Sequence, residues 1–402
     1  MRKKVCIGDL GTIVTGNTPP RNRPELYGNH TPFIKATDIS ESEKYTYNPE
    51  ECYSEEGYNK YIKSLIPKGS TCVVTIGSIG KKMTMAHCDL FINQAMNAII
   101  PNACFDSEYV YYAVKNVLGN IKTLDSGTAS GRENVSKSVF SKMEIWVEEE
   151  LPIQQRIATI LSRYDSLIEN YQKQIKLLEE SAQRLYKEWF IDFRFPGHEN
   201  TKIVNGVPEG WEKKKVCDIV KIKSGFAFKS KDWQKQGCPV VKIKDISGIF
   251  VNTDSLDYVS SNVALNAQHY LLNKMDLVIA MTGATIGKIG LITDDCLYAN
   301  QRVGKFFLQN TIDVPYLYCF FKQTTSIEQI VQISSASSAQ PNISGNQLES
   351  FKILFNVNIL KEFNLKCYKY FKQMIHLYSQ IRHATEARDR LLPKLMSGEL
   401  II

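Results

Sequence analysis

Two polar loops carry the side chains best suited to reading a patterned ligand. Asp125-Ser126-Gly127-Thr128-Ala129-Ser130-Gly131-Arg132-Glu133-Asn134-Val135-Ser136 and Ser334-Ser335-Ala336-Ser337-Ser338-Ala339-Gln340-Pro341-Asn342-Ile343-Ser344 are rich in small residues, and both end in Asn-x-Ser. Their middles diverge, Arg132 against Gln340. Arginine forks onto a guanine edge and Asn or Gln onto adenine. Arg132, Asn134, Gln340 and Asn342 are therefore candidate base contacts, with an ordinary surface loop as the alternative. Lys35-Ala36-Thr37-Asp38-Ile39 and Lys242-Ile243-Lys244-Asp245-Ile246 alternate in the manner of a strand. Alternation puts Lys35 with Thr37, and Lys242 with Lys244, on one face. These four are candidate phosphate or base contacts, with a plain exposed sheet face as the alternative.

Catalytic signatures are sparse. The sequence contains no H-E-x-x-H, G-x-S-x-G or G-x-G-x-x-G. Thr282-Gly283-Ala284-Thr285-Ile286-Gly287-Lys288 approaches a phosphate-binding loop but is one residue short, and Ile289 stands where Ser or Thr must hold magnesium. It reads better as a turn that ends in a lysine. Asn17-Thr18-Pro19-Pro20 has the wrong order for an amino-methyltransferase tetrad. His30, His87, His198, His269, His376 and His383 are isolated from one another, as structural histidines usually are. No catalytic or metal-ligating residue is expected.

The chain of 402 residues is too long for one ordinary core, so two or more domains are expected. An apolar fraction of 43% with 23% charged residues excludes a disordered or collagen-like chain. No run approaches the length of a membrane span, and Met1-Arg2-Lys3-Lys4-Val5-Cys6-Ile7-Gly8-Asp9 meets a charge too soon for the apolar core of a secretion signal. Ten cysteines without a C-x-x-C pair fit a reducing cytoplasm. Charge is uneven: residues 201–402 carry 25 Lys/Arg against 17 Asp/Glu, whereas residues 1–200 carry 24 against 25. A basic second half suggests a polyanionic partner.

Internal repetition organises these residues. A shift of 207 places Lys35 on Lys242, Asp38-Ile39 on Asp245-Ile246, Ile79-Gly80-Lys81 on Ile286-Gly287-Lys288, and Asn93-Gln94 on Asn300-Gln301. The period is far beyond that of a solenoid, so a domain has been duplicated. Each copy opens with short β-branched runs between turns, such as Ser70–Gly77 and Met275–Gly283, and Glu108–Leu118 is the best helical stretch in the first. The expected class is α+β with mainly antiparallel sheets.

Each copy then changes period. Apolar residues run Ile157, Leu161, Tyr164, Ile168, Tyr171, Ile175, Leu178, Ala182, Leu185, Trp189 in alternating steps of four and three, a coiled-coil heptad. A shift of 206 repeats it from Phe363 to Leu395, with Arg388 the one polar interloper. Pro152 suits a first helical turn, Asn358 is the expected N-cap, and Pro393 should bend or end the second helix just before Gly398. The expected organisation is a first globular domain at 1–150, a first helix at 151–195, a linker and second domain at 196–357, and a second helix at 358–402. A two-fold relation between the copies makes the helices antiparallel and sets one domain at each end of a stiff spacer.

With those residues in place, the chain resembles the specificity subunits of type I restriction–modification systems. The resemblance covers nearly all of it. It rests on Pro152-Ile153-Gln154-Gln155-Arg156-Ile157, Glu188-Trp189-Phe190-Ile191-Asp192-Phe193-Arg194-Phe195-Pro196, Gly206-Val207-Pro208-Glu209-Gly210-Trp211, and the ending Arg390-Leu391-Leu392-Pro393-Lys394-Leu395-Met396-Ser397-Gly398-Glu399-Leu400. The second copy departs from it, with Asn358-Ile359-Leu360-Lys361-Glu362-Phe363 where a Pro-x-Gln-Gln-like start belongs.

The resemblance implies two target-recognition domains, each reading half of a split, asymmetric site in double-stranded DNA, with the helices fixing the gap. It implies a non-catalytic chain without a cofactor of its own. Two methyltransferase subunits would supply S-adenosylmethionine binding, adenine methylation and base flipping, and a restriction subunit would supply translocation and cleavage. The exposed helix faces and the aromatic cluster of Trp189, Phe190 and Phe193 are candidate docking surfaces for the methyltransferase subunits, with a clasp between helix and domain as the alternative. Two other classes stay open: a purely structural coiled-coil adaptor, and an enzyme carrying its own DNA-reading domains.

Overall fold

The computed structural model describes residues 2–124, 133–335 and 341–400. It divides into two compact units, Met1–Tyr171 with Gln380–Ile402, and Gln172–Ser379. Each unit therefore owns one globular region and part of each long helix.

In the first unit, a four-stranded antiparallel sheet runs in the order Gly11–Thr15, Met96–Pro101, Thr71–Val74, Met83–Met85. A second sheet, of Tyr27–Gly28, Glu51–Tyr53, Thr31–Ile34 and Phe91–Ile92, has one parallel pair, Thr31–Ile34 beside Phe91–Ile92. Residues Thr71–Val74 are buried on both faces, which suits the apolar run Cys72-Val73-Val74. The helix Ser107–Val117, capped by Asp106, turns Tyr109, Val110 and Tyr112 inward.

The second unit repeats this plan. Its antiparallel sheet runs Lys221–Ser224, Val303–Phe307, Leu277–Ala280, Ile289–Leu291. Its second sheet again holds one parallel pair, Cys238–Val241 beside Leu297–Ala299. A helix at Val314–Lys322 buries Tyr316 and Tyr318, the counterparts of Tyr109 and Tyr111. The α+β class, the duplication and the mainly antiparallel sheets are all present.

The first long helix spans Leu151–Tyr186 and the second Val357–Ser397. In the first unit Ile157 and Leu161 share a core with Leu392, Leu395 and Met396, while Asp165 meets Arg388 at 2.5 Å. Advancing along one helix retreats along the other, so they are antiparallel there. In the second unit Phe190 lies 5.2 Å from Phe363, and Tyr318 links Glu179 of the first helix with Phe371 of the second; the direction is again opposed. Each apolar side chain buried along this seam contributes about 1.5–3 kcal/mol.

One expected helix boundary is corrected and one stands. Asn356, not Asn358, caps the second helix: its Oδ1 accepts from the backbone N–H groups of Asn358 and Ile359. The helix runs through Pro393 to Ser397, so Gly398 lies just past its end as expected; burial of Leu392, Leu395 and Met396 holds its last turn in place. Gly398 follows with φ +78°, the left-handed conformation that ends helices.

Candidate nucleic-acid interface

Three turns converge in each unit. The first is Lys35–Asp38 and its counterpart Lys242–Asp245. Neither is the expected strand. Asp38 Oδ2 accepts from the Lys35 backbone N–H at 2.8 Å, and Asp245 Oδ2 accepts from that of Lys242 at 2.8 Å. An aspartate three residues on turns the chain back on itself, so residues 36–38 form a turn and Ile243–Asp245 a 3-10 helix. Neither Lys35 with Thr37 nor Lys242 with Lys244 sits on a strand face, although Lys242 and Lys244 still converge on one carboxylate, Asp257.

The second is the Asn-Gln turn, Asn93-Gln94 and Asn300-Gln301. It leaves the neighbouring parallel strand, and the first turn is fixed to it: Asn93 N–H donates to Ile34 O at 3.0 Å, and Asn300 N–H to Val241 O at 3.0 Å. The third is the glycine turn. Gly77 and Gly80 have φ of +89° and +75°, and Gly283 and Gly287 have +73° and +80°, conformations that other residues adopt only under strain. In the first unit Lys82 Nζ donates to Ala36 O at 3.3 Å, tying this turn to the Lys35–Asp38 turn.

The glycine turns also anchor the ends of the two polar loops. Gly77 N–H donates to Glu133 O at 3.1 Å and Val135 N–H to Thr75 O at 2.9 Å. In the second unit Gly283 N–H donates to Pro341 O at 3.2 Å and Ile343 N–H to Met281 O at 3.0 Å. Asn134 and Asn342 thus occupy equivalent positions, bridged to Ile76 and Thr282. Arg132 and Gln340 lie outside the described residues.

The structure therefore gathers Lys35, Thr37 and Asn134 around one glycine turn, and Lys242, Lys244 and Asn342 around the other. Thr37, Lys244 and Asn342 are exposed. Sequence reasoning missed the exposed residues of the intervening turns, Lys81, Lys288, Gln94 and Gln301. Their duplication at one offset was the available signal.

The candidate lysines are already paired with carboxylates. Lys35 Nζ contacts Glu50 and lies 3.6 Å from Glu51, and the Glu50 hydrogen bond raises its pKa. Lys242 and Lys244 share Asp257, at 2.9 and 3.1 Å. The hydrogen bond from Lys242, then that from Lys244, holds the Asp257 carboxyl below the usual carboxylate range. Lys242 also stands over the Trp233 ring at 3.6 Å, so its ammonium is fixed from two sides.

The aromatic cluster is corrected from a docking surface to a clasp. Trp189 and Phe190 are 4% and 5% exposed. They pack against Phe363, and Phe190 also packs against Tyr316 and Trp211. A partner has no open face of either ring to bind. Phe193, half-buried with φ +57°, packs on Trp211. The apolar faces that suggested a docking site are consumed inside the second unit.

Among the described residues no group of His, Cys, Asp or Glu is placed to hold a metal ion, and no helix is long and apolar enough to cross a membrane.

The family model for the type I restriction modification DNA specificity domain matches residues 2–180 and 208–356. The chain is similar to the MjaIX type I restriction enzyme specificity subunit of Methanocaldococcus jannaschii, at 27% identity over 98% of this chain and 92% of that one. It is 34% identical to the HindI specificity subunit of Haemophilus influenzae over 35% of this chain and 30% of that one. A crystal structure of the S subunit of a type I restriction–modification system from M. genitalium matches with a TM-score of 0.59 at 17% identity, covering 98% of this chain and 96% of that one. At that identity the likeness is one of fold.

Proposed function

The chain belongs to the type I restriction–modification DNA specificity family, and from that premise we propose that each unit reads one half of a bipartite, asymmetric site in double-stranded DNA. The observation that carries this reading is the three-turn cluster, built twice on one frame. Lys35 and Lys242, Asn134 and Asn342 repeat, while Arg132 and Gln340 differ. A common frame with unlike tips suits two half-sites of unlike sequence. In this reading Lys35, Thr37, Lys242 and Lys244 contact phosphates or base edges, and Arg132, Asn134, Gln340 and Asn342 contact bases. Phosphate contacts position the protein and base contacts specify the sequence.

The two long helices, of 36 and 41 residues, are the natural ruler. At 1.5 Å per residue they are about 54–62 Å long, of the order of two turns of duplex DNA. Their exposed faces dock two methyltransferase subunits, which bind S-adenosylmethionine and methylate adenine; restriction subunits complete the assembly in the cytoplasm. The chain itself acts as reader and scaffold, without catalysis.

Selection from a random DNA pool by the chain bound to its methyltransferase partner tests this. The expected product is one enriched sequence with two fixed halves. Retention of DNA without sequence preference refutes the proposal. Binding of labelled S-adenosylmethionine by the isolated chain would refute the division of labour.

A further inference from the structure

Arg388 is the one polar residue in the apolar stripe of the second long helix, and its side chain is only 6% exposed. Its Nη1 donates to Asp165 Oδ1 of the first helix at 2.5 Å, and its Nε donates to Asp389 at 2.9 Å. The Tyr112 hydroxyl also donates to Asp165. Withdrawing two charges from water cancels most of what their attraction gains, so such a pair is a poor source of stability; losing one partner, however, strands a buried charge. Its value lies in which helix it accepts.

The duplication shows what stands at the same places in the other unit. The shift of 206 puts Ala182 in the place of Arg388 and Phe371 in the place of Asp165. In the second unit Phe190 faces Phe363. Eight residues back along the first helix and eight forward along the second lead from that contact to Ala182 and Phe371, which are 1% and 0% exposed. One register position is thus filled by Asp against Arg in the first unit and by Ala against Phe in the second.

Because the heptads of the two helices repeat step for step, two copies of the first helix could adopt the same antiparallel register. Asp165 of each would then face Ala182 of the other. Two copies of the second helix would set Arg388 against Phe371, twice. Pairing two first helices takes Arg388 away from Asp165 and leaves that carboxylate the Tyr112 hydroxyl, and pairing two second helices leaves Arg388 only the half-exposed Asp389; both also mismatch side-chain size. We propose that the Asp165–Arg388 pair is a partner-selection lock: it makes this interface accept the chain's own other helix and reject a second copy of the same half. The lock concerns how the halves find each other and is independent of DNA reading.

The folded full chain provides the test. A protease site inserted at Asn205-Gly206, in the exposed turn between Ile203–Val204 and Val207–Pro208, allows it to be nicked after folding. The nicked protein is unfolded in urea and refolded, and its pairings are counted by native mass spectrometry. The native sequence should return mixed pairs in roughly a hundredfold excess over self-pairs. Asp165→Phe with Arg388→Ala, which installs the second unit's pair in both places, should give a near-statistical mixture. The exchanged pair, Asp165→Arg with Arg388→Asp, should restore the excess and shows that the variants still fold. A statistical mixture from the native sequence, or an undiminished excess in the Phe/Ala variant, overturns the proposal.

Discussion

Lys242 is ion-paired with Asp257 at 2.9 Å, and Lys244 converges on the same carboxylate at 3.1 Å. Two lysines expected to act as cationic contacts thus share one anion, and the net charge this face presents is smaller than its count of lysines. Asp257→Asn should release both ammonium groups and strengthen binding to all DNA sequences alike. Lys244→Ala, in a side chain 55% exposed, should instead lower the log–log salt slope by about one unit. Titrations at several salt concentrations, with the methyltransferase partner present, check both outcomes.

The same pairing fixes a pH dependence. The folded-state pKa of Asp257 is depressed by Lys242 and then Lys244, so its contribution to stability is present above the ordinary carboxylate pKa of about 3.9 and is lost as pH falls through the lower folded value. Its exposure keeps the contribution small. Between about pH 6 and 8 Asp257 should stay ionised, and Lys242→Ala should alter the salt slope equally at both limits. A slope difference that vanished at the acid limit would contradict this assignment.

Asn134 and Asn342 occupy matching bridges beside the two glycine turns. If each reads a base, Asn342→Ala should cost about 1–3 kcal/mol on DNA carrying the correct second half, and relax selectivity in that half alone. Asn134→Ala should do the same for the other half. Methylation rates on substrates altered in one half at a time distinguish this from a phosphate contact, whose loss weakens all sequences equally.

Trp189 and Phe190 should behave as core. Truncating either to Ala is expected to cost about 3–5 kcal/mol, with the loss confined to the second unit, whose Phe363 and Tyr316 they touch. Hydrogen exchange and urea denaturation of the free chain read this out. Undiminished stability with lost partner binding would return these residues to a docking role.

The duplication and the heptads were legible because each is a periodicity carried by many residues at one offset. Arg388 stood out in the stripe, but its partner Asp165 lies 223 positions away, beyond any local pattern. The turn at Lys35–Asp38 was misread because alternation in five residues is weak beside one local hydrogen bond; Asp38 and Asp245, each three places after a lysine, were the overlooked signal. Trp189 and Phe190 looked like a surface cluster because Phe363, Tyr316 and Trp211 reach them only through the fold. Residues 282–288 read in sequence as a turn that ends in a lysine, and they follow the strand Leu277–Ala280 as such a turn. The role of the glycine turns as anchors for the polar loops rests on long-range backbone bonds such as Gly77 to Glu133.

Mapping methylated adenines in cells that express the chain with its methyltransferase partner decides whether two spaced readers act on DNA. The expected result is one motif of two specific, unlike blocks separated by a gap of fixed length and free sequence. A single contiguous motif, or two blocks at variable separation, would contradict it.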